Sequence, residues 1–90
     1  MKTLVKVQEV EGEGLLGLLG KVVLIYGFNY IYRGTLIGVN ETCVKLTNAH
    51  IVYETGSYNT KGCTDAQALP SEWYVKLSGI ESFGEAGIKA

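Results

Sequence analysis

Residues 20–56 read GKVVLIYGFNYIYRGTLIGVNETCVKLTNAHIVYETG, and this stretch decides the fold. Lys21 to Tyr26 is a short, continuous apolar run bounded by turn residues, the pattern of a buried strand. Gly27-Phe28-Asn29-Tyr30 reads as a turn, and Ile31 to Val39 as a second strand. Gly34 and Gly38 inside that strand point to sharp bending or close backbone approach. Asn40-Glu41-Thr42 is a tight turn, and Cys43 to Glu54 a long third strand. The apolar phase of the third strand starts on Val44 and Leu46, then moves to Ala49, Ile51 and Tyr53. A change of phase within one strand requires a bulge or a barrel corner, because side chains alternate faces with a period of two.

Upstream, Lys2 to Val10 alternates well enough for a short strand. Leu15, Leu16, Leu18 and Leu19 follow, with Gly12, Gly14, Gly17 and Gly20 among them. Glycine costs up to about 1 kcal/mol per residue against alanine in a helix, so the segment reads as a loop with one turn that packs its leucines on the core. Gly12 to Gly17 also matches GxGxxG, a chance match: a β-run follows at once where a dinucleotide site needs a βαβ unit. Downstream, residues 55–71 are polar and read as a long exposed loop, with a short ordered stretch conceivable near Ala66 to Leu69. In Glu72 to Leu77, Trp73, Val75 and Leu77 share one face, and Tyr74 and Lys76 the other. Ser78-Gly79 marks a turn, Ile80 to Phe83 a last short strand, and the tail a loose end. The sum is about five short, bent strands after a short N-terminal element, which close into a small barrel.

Composition agrees. The chain has 90 residues, enough for a single domain spanning 1–90 with its core at roughly 20–84. Nearly half the residues are apolar, too many for a disordered chain. A domain this small buries only about 60–65% of its unfolded surface and gains from a partner surface. β-branched and aromatic residues are abundant, and twelve glycines supply turns. The net charge of −1 excludes a basic surface and strong non-specific duplex binding, which phosphate neutralisation drives. No apolar run approaches the roughly 20 residues of a membrane helix, and no signal-peptide core follows Met1-Lys2, so a cytoplasmic protein with no membrane partner is expected. Cys43, Cys63 and the single His50 are too few for a standard zinc site, and two reduced thiols are expected.

The segment from Gly20 to Gly56 resembles the first motif of the Sm-like (LSm) family. Gly20-Lys21 leads the apolar Val22-Val23-Leu24, Gly34-Thr35-Leu36 matches a Gly-x-Leu step, and Val39-Asn40 stands where the family has an apolar residue and Asp. Cys43 falls near the family's turn Asn. The second motif is met by Val75-Lys76-Leu77-Ser78-Gly79-Ile80, with Ser78 where a basic residue is usual. The departures are Asn40 for Asp, Cys43 for Asn, a first turn one residue short, and a Gly27–Gly34 loop about two residues long. Both motifs cover about half the chain. The resemblance implies an all-β, five-stranded, strongly bent Sm-like open barrel of the SH3 type, with one strand edge pairing with the next subunit's edge. Head-to-tail repetition of that contact closes a homo-oligomeric ring, of roughly five to seven subunits. The departures from both motifs suit a bacterial or phage source.

The same resemblance implies single-stranded RNA, with DNA as the variant, held by two turns of each subunit and serving RNA or DNA processing. The residues carried over are Asn40, Thr42 and Cys43 on the first turn and Ser78 and Gly79 on the second, with Lys76 or Arg33 as the cation. Asn40 offers a donor and an acceptor to a base edge, or simply suits the turn geometry. Tyr26, Phe28, Tyr30 and Tyr32 form an aromatic cluster beside Arg33, expected to pack in the core or an interface rather than to stack on bases. Tyr58 and Lys61 in the long loop are lesser candidates. His50 has no partner at a catalytic spacing, and no paired carboxylates or phosphate loop stand out. No enzyme, cofactor or metal is expected. The alternative function is a ring or barrel that serves as a protein-interaction scaffold, favoured by the acidic pI of 5.7 and by Ser78.

Overall fold

The fold is described from a computed structural model over residues 13–54 and 65–86. The N-terminal strand expected at Lys2 to Val10, Cys63, Tyr58, Lys61 and the end of the tail at 87–90 lie outside the described residues. The start of the tail is not the loose end expected, since Gly84 and Glu85 extend the last strand and the buried Ala86 donates its N–H to the Val22 carbonyl at 2.8 Å. Six strands form one antiparallel sheet: β1 (Val22–Gly27), β2 (Ile31–Val39), β3 (Cys43–Glu54), β4 (Asp65–Ala68), β5 (Trp73–Lys76) and β6 (Ile80–Glu85). Two 3-10 turns complete it, η1 (Leu16–Leu18) and η2 (Leu77–Gly79). The all-β class stands. The count of five does not: the polar 55–71 segment contains β4, which pairs Ala66 with Val52 and Ala68 with His50. Its exposed side chains give it no apolar alternation to read.

The path runs β4-β3-β2-β1-β6, and β5 pairs separately with the start of β3. β3 thus serves two partners along its length, β5 at Cys43–Leu46 and β4 at His50–Glu54. A strand of this kind must bend between its halves. Arg33 opposes His50 while Thr35 opposes Thr47, so β3 carries an extra residue there. Asn48 sits at that bulge with φ of 54°, a left-handed conformation that asparagine tolerates better than most residues. The bulge is the cause of the phase change: Val44 and Leu46 point inward before it, and Ala49 after it. Val52, three residues after Ala49, falls by alternation on the opposite face and is buried in a second cluster, while a second shift between Val52 and Glu54 ends the phase and Tyr53 is exposed instead of inward. Opposite Leu46, β2 gains an extra residue of its own between Leu36 and Gly38.

The inner face holds the main core: Val23, Ile25, Leu36, Val44, Leu46, Ala49 and Val75. The first five are fully buried, each contributing about 1.5–3 kcal/mol relative to exposure. Gly34 permits β2 to cross the bent part of β3. A Cβ there would lie 3.1 Å from the Ala49 Cα, 3.1 Å from the Thr47 carbonyl oxygen and 3.2 Å from the Leu46 Cβ. Leu15 and Leu18 pack on this core, while Leu16 and Leu19 are exposed, so η1 contributes half the leucines expected of it. A smaller cluster of Leu24, Val52 and Ala86 lies apart from it. The sheet does not close. β5 and β6 are joined through η2 and share no strand pairing; among the described residues β6 pairs only with β1, and β4 and β5 pair only with β3. No helix among the described residues is long and apolar enough to cross a membrane.

Candidate nucleic-acid interface

Two turns meet at one end of the sheet. The first, 40–42, is folded by Asn40. Its side-chain oxygen accepts from the Thr42 backbone N–H at 2.7 Å, the Cys43 N–H at 2.9 Å and the Thr42 hydroxyl at 3.1 Å. Its own N–H donates to the Cys43 carbonyl at 3.0 Å, closing the hairpin. This is the side-chain mimicry of a backbone turn that asparagine and aspartate share. The second turn is η2. The Leu77 N–H donates to the Thr42 carbonyl at 2.8 Å, and Cys43 opposes Lys76 across the β3–β5 ladder.

That contact creates a pocket of about 480 Å³, lined by Glu41, Thr42, Cys43, Tyr74, Lys76 and Ser78, with Leu77 completing its wall. Four of the residues singled out from the sequence come together here: Thr42, Cys43, Lys76 and Ser78. Asn40 lies outside this pocket, with its oxygen fully used in the turn, leaving its amide N–H groups as the part able to meet a ligand. Gly79 lines a neighbouring groove instead. Arg33 lines a separate groove with Asn48 and His50, so of the two cations considered only Lys76 belongs to the turn pocket.

Three lining residues, Glu41, Tyr74 and the apolar Leu77, were not singled out from the sequence as site residues. Glu41 brings a carboxylate beside the turn, opposing phosphate. Tyr74 was readable, because strand alternation puts it on the face of Lys76. The Lys45 ammonium lies 5.5 Å from the Tyr74 ring centroid and 3.2 Å from Glu72 Oε1. The hydrogen bond to the Glu72 carboxylate, followed by that to Tyr74, raises the Lys45 pKa above its ordinary value, so Lys45 stays charged across the neutral range. Its charge is engaged locally, and Lys76 is the cation that the pocket presents.

The aromatic cluster divides. Tyr32 packs on the main core and Tyr26 on the smaller one. Phe28 and Tyr30 lie outside the core of the single chain, 70% and 55% exposed. Gly27 brings their loop against η2, where a Cβ would lie 3.0 Å from the Gly79 carbonyl oxygen, and the Phe28 N–H donates to that oxygen at 3.3 Å. His50 Nδ1 lies 3.1 Å from the Asn48 carbonyl, a local contact at the bulge. No cluster of three or more potential metal ligands occurs among the described residues. No protein-family model, curated protein or solved structure matches the chain.

Proposed function

We propose that this chain is an Sm-like protein that assembles into a homo-oligomeric ring and binds single-stranded RNA without catalysing a reaction. The observation that carries the reading is the shared pocket of the two turns, tied by the Leu77-to-Thr42 hydrogen bond and presenting Lys76 and the Cys43 and Ser78 side chains to one space. A single base suits such a space. The Ser78 hydroxyl and the lone pairs of the Thr42 hydroxyl suit its edge, Tyr74 its face, and Lys76 its phosphate. One such pocket is weak, and repetition around a ring multiplies it by avidity.

The unpaired edges support assembly. Among the described residues, β6 at one end of the sheet, and β4 and β5 at the other, each have one side with no partner strand. No proline interrupts these three strands, since Pro70 falls between β4 and β5. Free edges of this kind are templates for strand addition, and a head-to-tail pairing between the two ends closes on itself when the rotation allows. A second reading, a ring that serves as a protein-interaction scaffold, draws on Glu41 in the pocket wall and on the uncharged Ser78.

Native mass spectrometry with and without oligo-U, oligo-A and single-stranded DNA tests both. A ring mass that rises by one oligonucleotide is the expected result. A ring that takes none of the three favours the scaffold, and a monomer at micromolar concentration overturns the ring.

A further inference from the structure

We infer that the groove between the 27–30 loop and β5 is a second nucleobase subsite, taking the nucleotide next to the one in the turn pocket. The inference rests on the proposed nucleic-acid reading of that pocket and extends it to a site of two consecutive nucleotides per chain. The groove has a volume of about 300 Å³, with Phe28, Tyr30 and Tyr74 on its walls and Val75, a core residue, and Tyr32, packed on the core, among its lining. This is the lower end of small-ligand pocket sizes, suited to one base with its sugar and phosphate rather than a larger molecule.

Three features choose the occupant. First, the aromatics are offered to solvent. Phe28 is 70% exposed, Tyr30 55% and Tyr74 59%, and Phe28 has no polar atom to account for it. Scattered exposed apolar residues are ordinary, whereas convergence on one concave surface marks a binding surface. Tyr30 and Tyr32 meet at 57° with centroids 6.3 Å apart, tilted rather than stacked, and Tyr30 stays more than half exposed. Second, the charge is one-sided. Among the described residues, Lys76 is the only charged one lining the groove, and no carboxylate does. A flat, apolar, anionic ligand fits that combination, and a nucleotide is one. Asn29, also exposed, adds an amide for a base edge. Third, the groove and the turn pocket share Tyr74 and Lys76. A strand leaving the turn pocket over β5 passes those two side chains and enters the groove, with Lys76 at the phosphate between the two bases.

A proline-rich peptide is the competing occupant, since aromatic grooves on small β-barrels accept polyproline II helices. Such a ligand gains nothing from an isolated cation and has no reason to continue into a polar turn pocket.

The test compares wild type with Phe28→Leu and Tyr30→Leu, which keep an apolar side chain at exposed positions while removing the ring. Binding of fluorescein-labelled oligo-U is measured by anisotropy. Each variant is expected to bind about 5- to 100-fold more weakly, the range for loss of one stacked base, with an unchanged assembly mass. Crosslinking of a 4-thiouridine oligonucleotide to the unmutated protein is expected to label residues 28–30 as well as residues of the 40–42 turn. Wild-type binding with both variants within twofold of it, and crosslinks confined to the 40–42 and 77–79 turns, overturns the second subsite and leaves the turn-pocket reading intact. No binding of any oligonucleotide by wild type overturns both. A proline-rich peptide that displaces no oligonucleotide yet shifts the 28–32 resonances assigns the groove to peptide and overturns the inference.

Discussion

Asn40 is the residue whose replacement most directly tests how the interface is built. Its side-chain oxygen accepts three hydrogen bonds, two from backbone N–H groups at 2.7 and 2.9 Å and one from the Thr42 hydroxyl at 3.1 Å. Asn40→Ala removes all three. The turn is exposed, so water takes up the freed donors, and each bond counts near the low end of its net range, about 0.5 kcal/mol. The loss comes to about 1–1.5 kcal/mol, similar to losing a helix cap. For a domain of this size that lowers the melting temperature by about 4–12 °C. Asn40→Asp behaves differently. A carboxylate accepts the same bonds, with charge assistance, so its stability should match wild type or slightly exceed it. Thermal unfolding by circular dichroism at one fixed protein concentration reads both, the concentration being held because assembly shifts the melting point by mass action. If Ala and Asp are equally harmful, the side-chain oxygen is not what folds the turn. If Ala matches wild type, the three bonds contribute nothing.

Gly34→Ala should destabilise by about 1–3 kcal/mol in urea unfolding, because the new methyl meets the Ala49 and Thr47 backbone and the Leu46 Cβ at 3.1–3.2 Å, and the bent half of β3 has little room to retreat. Leu36→Ala, at a fully buried position, should cost about 2–5 kcal/mol by the same assay; a loss under 1 kcal/mol would mean that the core is not packed as described. Oligo-U binding should weaken only shallowly with salt, with a log–log slope of about −0.7 for each chain engaged, since Lys76 is the one cation lining the two adjoining pockets among the described residues; a slope several times steeper would place the binding surface elsewhere.

The strands were legible where burial writes a pattern. The continuous run at Val22 to Tyr26 became β1, and the glycines at 34 and 38 fall where β2 bends. The phase change after Leu46 foretold a bulge, and Asn48 supplies it through a left-handed backbone that no alternation pattern records. β4 was legible only as a short ordered stretch near Ala66 to Leu69, not as a strand, for the opposite reason. Its side chains are mostly exposed, and it is held by ladder bonds to β3, which depend on backbone and not on residue type. The same distinction runs through the site. The alternation in Glu72 to Leu77 identifies Tyr74 and Lys76 as neighbours on one face, but the approach of Leu77 to Thr42 joins positions 35 apart in the chain and follows only from the bend of β3. Within the aromatic cluster, spacing alone does not separate Tyr32, which packs on the core, from Phe28 and Tyr30, which sit in and beside a turn and are exposed in the single chain.

The charge balance limits which forces are able to hold a nucleic acid here. A chain of net charge −1 gains little from releasing counterions, and Glu41 beside the turn offsets part of what Lys76 provides. Phosphate neutralisation is therefore a minor contribution under the proposed function, and stacking on aromatic rings must be a major one. The exposed Phe28, Tyr30 and Tyr74 are the groups able to supply it, and two of them lie in the 27–30 turn region that the sequence resemblance leaves out of the site. Stacking on a single ring holds a strand weakly. A ring of identical chains multiplies it only if each chain presents the same surface in the same orientation, which is what pairing one free sheet edge with another secures. Under the proposed function, the unclosed sheet and the exposed aromatics would answer one requirement: a small domain with little positive charge would have to bind nucleic acid by repetition.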